Sequence, residues 1–139
     1  LPINDLVLPS ETRKVFFHIL EDLKSEFIKN GLNETYFIFP ETPNKIDILN
    51  SGKLVWLTTI NGYAAVVSPE HTFVTPLTNN HLLLIDANTG SYNFGTEEEN
   101  AEMRAEAEAD LFAFIQSIRI EFSPEIQQEI DQARGLHLA

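Results

Sequence analysis

Lys53-Leu54-Val55-Trp56-Leu57-Thr58-Thr59-Ile60, then Asn61-Gly62, then Tyr63-Ala64-Ala65-Val66-Val67-Ser68. Two runs rich in β-branched and aromatic residues flank a turn dipeptide. Such runs fit a pleated, half-buried surface. Asn and Gly both accept the positive φ of a type I′ turn, so Asn61-Gly62 predicts a two-residue hairpin. That hairpin would join the strand through Trp56 to a strand through Val66. Alternation within 53–60 is weak and does not assign faces.

Working outward, the same reading repeats. Upstream, Thr35-Tyr36-Phe37-Ile38-Phe39 ends at Pro40, and Ile46 to Leu49 is followed by Asn50-Ser51-Gly52. Downstream, Pro69-Glu70 turns into a strand over His71–Leu77, whose Pro76 confines its end to an edge or terminus. Thr78-Asn79-Asn80 leads to His81–Ala87, and Asn88-Thr89-Gly90 to Ser91–Phe94. A turn signal about every ten residues describes an antiparallel meander. Leu82-Leu83-Leu84-Ile85 is continuously apolar, which predicts a central strand.

Helical periodicity brackets this β region. Val15, Phe16, Ile19, Leu20, Leu23, Phe27 and Ile28 recur at helical spacing after Ser10, and Asn30-Gly31 is a helix stop. A helix over 11–29 follows. A second opens at Glu97 or Glu98 and gains a core face at Leu111, Phe112, Phe114, Ile115 and Ile118. A third is capped by Ser123, with Pro124 at its first position, Ile126 and Ile130 on one face and Gly135 at its end. The expected fold is a single α+β domain over residues 1–139. An N-terminal helix precedes an antiparallel β-meander of five to seven strands. Two C-terminal helices pack on one face of the sheet, and the other face is left open. Phe16, Leu20, Leu23, Phe27, Leu83, Ile85, Phe112 and Ile115 are expected in one shared core.

The composition is globular: 43% of the 139 residues are apolar, with ten Phe and one Trp. No cysteine is present, which excludes disulfides and thiolate-held metals and fits a reducing, cytoplasmic setting. No apolar run is long enough for a membrane span, and no signal peptide is visible. The net charge of −12 argues against nucleic acid, whose phosphates need Lys and Arg, and against anionic membrane surfaces. It favours steering toward a basic protein and leaves homo-oligomers open.

The acid is unevenly placed. Residues 97–139 hold eleven carboxylates against three arginines. Glu98, Glu102 and Glu106 fall at i, i+4 and i+8, so they repel one another by a few tenths of a kcal/mol per pair. The plain alternative is a solvated helix whose first-turn carboxylates favour the dipole. The candidate partner-binding residues are Glu98, Glu102, Glu106 and Asp110, with Tyr92 as an aromatic anchor beside them. Tyr63 and Phe94 are further candidates for exposed aromatics.

Catalytic and metal signatures are missing. The histidines His18, His71, His81 and His137 belong to no ligand motif. His71 and His81 read as strand-end polar residues, at opposite ends of adjacent strands. Asp86-Ala87-Asn88-Thr89-Gly90 lacks the donor spacing of a calcium loop and reads as a β-turn. There is no nucleophile elbow and no phosphate-binding glycine loop, and Ser68 and Ser91 have no neighbouring base. Neither a cofactor nor a metal is expected.

The final β-turn, the acidic segment and the Ala109-Asp110-Leu111-Phe112-Ala113-Phe114-Ile115-Gln116-Ser117-Ile118 stretch resemble the tail of bacterial immunity proteins of the SUKH type, which neutralise toxin domains. The resemblance spans roughly a tenth of the chain. It departs in having one helix, not two, before the strands. The missing catalytic and metal motifs favour a non-catalytic interaction module: an inhibitor or immunity-type protein, a chaperone or an assembly factor. The alternative is a small enzyme or ligand-binding domain with a sheet-lined pocket.

Overall fold

The computed structural model describes residues 9–51, 54–63, 70–78, 81–88 and 95–138. Helix α1 (Pro9–Lys29) precedes strands β1 (Phe37–Ile38), β2 (Asp47–Ser51), β3 (Leu54–Tyr63), β4 (Glu70–Thr78) and β5 (His81–Ala87). Helices α2 (Glu97–Ser117) and α3 (Pro124–Leu138) complete the chain, and single 3-10 turns lie at Glu34–Tyr36 and Pro43–Lys45. This is the expected α+β order around an antiparallel sheet of five strands.

Helix α1 ends where Asn30-Gly31 stops it. Gly31 takes φ +75°, its N–H donates to Ile28 O at 3.0 Å, and the Leu32 N–H donates to Phe27 O at 3.1 Å. That pair of bonds satisfies two orphan carbonyls at the helix end. At the start of α3, Ser123 Oγ accepts from the Ile126 N–H at 3.4 Å, with Pro124 opening the helix. Gly135 does not stop α3, which continues to Leu138.

Strand β3 organises the sheet. One of its edges pairs with β4, from Leu57↔Val74 to Asn61↔Glu70. Its other edge is shared: β2 takes residues 54–58 and β1 takes Gly62 and Tyr63. Asn61-Gly62 therefore makes no hairpin. Gly62 has φ +129°, but no described non-glycine residue has positive φ, so the type I′ geometry is absent. Asn61 is buried instead. Its Nδ2 donates to Thr72 Oγ1 at 2.7 Å, and the Thr72 hydroxyl donates to Asp86 Oδ1 at 2.6 Å. This bridge across three strands holds the Asn side chain that the turn would have used. The expected return strand after Tyr63 falls on residues 64–69, and that over Ser91–Phe94 on 91–94; both lie outside the described residues.

Strand β5 stands at the end of the strand order, so the apolar run Leu82–Ile85 is not central. Its residues divide between the two faces, and Leu84 is 43% exposed. Leu82 packs beneath α1, while Leu83 and Ile85 pack beneath α2. Pro76 lies beyond the last β3–β4 pair, where the missing N–H costs no bond to β3.

The two long helices take opposite faces. Phe16 and Leu20 of α1 pack with Ile46, Leu57 and Val74. Ile115, Leu111 and Phe112 of α2 pack with Leu54, Trp56, Phe73, Leu83 and Ile85. Trp56 and Leu57, like Phe73 and Val74, are consecutive residues that point to opposite sides of a pleated strand. The expectation of one shared core and one open face is thus corrected. The core is split by the sheet, and Leu23, 37% exposed, belongs to neither half. Phe27 packs at the far end of α1, with ring centroids 5.8 Å from those of Phe37 and Phe39 and 6.3 Å from that of Tyr63. Tyr63 is a packing residue there. Ile130 of α3 is buried in a third cluster with Phe122 and Ile126.

Candidate functional site

Two features stand out: the outer surface of α2, and a cleft beneath its middle.

Helix α2 is firmly started. Thr96 Oγ1 accepts from the Glu99 N–H at 3.2 Å. Asn100 and Gly95 exchange two bonds, each 3.3 Å, between the Asn amide and the Gly backbone. Three glutamates, Glu97 to Glu99, sit where the helix dipole favours them. Yet from Glu97 to Glu106 every residue except half-buried Asn100 is exposed. Sheet contact begins only near Glu108 and Leu111.

Residues advance about 100° each around a helix. Glu102, Glu106 and Asp110 accordingly fall opposite the Leu111–Phe112–Ile115 face, with Glu98 on its flank; all four are exposed. Glu99 and Met103 share this outer surface, and Phe114 lies at its edge. Met103 is 42% exposed and Phe114 59%. Periodicity puts Phe114 on the core face, but it stands at the exposed flank of that face, about 100° round the helix from Ile115. Tyr92, the aromatic expected beside the acids, lies outside the described residues.

The cleft, of about 340 Å³, opens where the shared edge of β3 is interrupted. Pro40 and Pro43 remove two N–H groups from the chain between β1 and β2, and residues 39–46 leave the ladder there. Among the described residues, 59–61 of β3 thus have no partner strand on that side. Ile46, fully buried under α1, pins this connection, so that its neighbours Lys45 and Asp47 turn to the opposite side and line the cleft.

Thr58, Ile60 and His71 form the floor, on the α2 side of the sheet. Asp47 is the direct cross-strand neighbour of Thr58, and Ile60 that of His71. Helix α2 supplies Glu108 and Phe112, and Phe39 and Pro40 close the far wall. His71 is 6% exposed, and its ring meets Phe112 edge-on with centroids 6.3 Å apart. Its Nε2 lies 3.7 Å from Glu108 Oε1, too far for a hydrogen bond.

His71 lies at the start of β4, as expected, and it is buried there. Its alternation with Phe73 is the signal that could have placed it on a buried face. His81 lies at the opposite end of the β4–β5 ladder, as expected, since His71 pairs with Ala87 and His81 with Thr78. Among the described residues, no three His, Asp or Glu side chains converge on a metal site, and no helix is long and apolar enough to cross a membrane.

Searches of protein-family models, curated proteins and solved structures give no match to the chain.

Proposed function

We propose that this domain is a non-catalytic interaction module that binds a basic protein through the outer face of α2. The observation that carries this reading is the combination on one helix face. Exposed Glu102, Glu106 and Asp110 run along this face with Met103 among them, and Phe114, the most exposed of the large apolar side chains on the described surface, stands one turn beyond Asp110. A purely solvated helix has no use for a bare phenylalanine. An interface does, because aromatic and Met side chains at the centre of a patch supply most of the binding energy while charges at its rim steer the encounter. The −12 net charge adds long-range attraction for a basic partner.

The test is association kinetics with a basic protein captured from the source lysate. Binding is expected to slow as salt rises and on the double reversal E102K/E106K, because screening and charge act on the on-rate. Phe114→Ala is expected to speed dissociation. Association indifferent to salt and to all three substitutions would sink the proposal.

A further inference from the structure

Three of the polar groups lining the cleft are idle. Lys45, Asp47 and Thr58 have no side-chain hydrogen bond or ion pair among the described residues. His71 and Glu108 face each other without bonding. Two carboxylates against one lysine leave the cleft cation-favouring. Lys45 is exposed, on a long flexible stem that can keep its charge in solvent.

We infer that this cleft receives the ammonium end of a lysine side chain. The assignment of that lysine to the basic partner rests on the proposed docking at α2; the chemistry of the cleft does not. With the ring proton on Nδ1, His71 Nε2 is an acceptor, and it stands 3.7 Å from Glu108 Oε1. One nitrogen placed between them can donate to both. A third donor is left for Thr58 Oγ1 or the Asp47 carboxylate, cross-strand neighbours on the same face. Acceptors that line one cleft from strands and a helix suit the three directed donors of an ammonium. A planar guanidinium wants two coplanar acceptors on one carboxylate. Phe39, Pro40, Ile60 and Phe112 provide apolar wall for the four-carbon stem.

The probe is N-acetyl-lysine methylamide, titrated into the ¹⁵N-labelled full chain. Amide shifts are expected at Thr58, Ile60, His71 and Glu108, saturating on the order of millimolar. The ε-acetylated probe, which lacks the charge, is expected to leave those amides unmoved, and the arginine analogue to bind several-fold more weakly. Glu108→Gln is expected to weaken the lysine probe about tenfold, the scale of one charge-assisted bond. Asp47→Asn serves as a second variant should the first disturb the fold. The E102K/E106K protein is expected to bind the probe as the wild type does, so failure at the outer face and failure in the cleft are read separately. Equal binding of the acetylated or arginine probe, indifference to both substitutions, or shifts lying elsewhere would overturn the assignment.

Discussion

Helices α1 and α2 have the same length, 21 residues, and lie on opposite faces of one sheet. They use that length differently. Helix α1 is engaged from Thr12, fully buried in its first turn, to Phe27 among the rings of β1 and β3. Helix α2 is engaged only over its C-terminal half, where Ile115 is buried and Ser51 Oγ donates to Gln116 O at 3.0 Å. Its first half is held by caps and by its own backbone. Helix length therefore says little about packing, and a capped, charged, unpacked half-helix is free surface.

The contrast is sharpest between phenylalanines. Phe16→Ala removes a ring from the α1 core and is expected to cost about 3–5 kcal/mol in urea unfolding. A loss under about 1 kcal/mol would mean that α1 is dispensable to the sheet. Gly31→Ala forces a side chain into a left-handed conformation and is expected to cost about 1–2 kcal/mol, confirming that the α1 stop matters to the packed helix. Ala105→Gly, in the unpacked half of α2, is expected to cost no more than about 1 kcal/mol, the propensity difference alone. A larger loss would show that this half contacts something in the fold. Smallest of all, Phe114→Ala is expected to move stability by about half a kcal/mol or less. Together the four substitutions grade engagement along the two helices.

Much of the frame was legible in the sequence because it rests on local chemistry. Asn30-Gly31 and Ser123-Pro124 act through bonds a few residues long, and β5 was bounded by turn residues on both sides. Asn61-Gly62 misled because its alternative use is not local. The amide of Asn61 is held by Thr72, eleven residues on, and Thr72 by Asp86 on the next strand. Leu82–Ile85 misled for a related reason, since Leu82 packs on one face and Leu83 and Ile85 on the other while Leu84 stays exposed, and none of this fixes a place in the strand order. The acidic face was readable from helical spacing, although Phe114, expected in the core, is exposed at the flank of its helix. The cleft could not be read at all. It assembles residues 39–47, 58–60, 71 and 108–112, and their meeting depends on strand register and on a gap in a ladder.

The divided edge of β3 also has a consequence for how the molecule assembles in time. The β2–β3 and β4–β5 pairs each join strands close in sequence, and their closest registered pairs are Ser51↔Leu54 and Thr78↔His81. Closing such short loops is entropically cheap and fast. Two-residue β1 must wait, because its register, Phe37↔Tyr63, spans both the 39–46 detour and the whole of β2. It can add only to a β3 that already exists. The aromatic cluster that ties Phe27 to Phe37 and Tyr63 is then a late clasp, and loosening it should quicken unfolding while leaving the folding rate almost untouched.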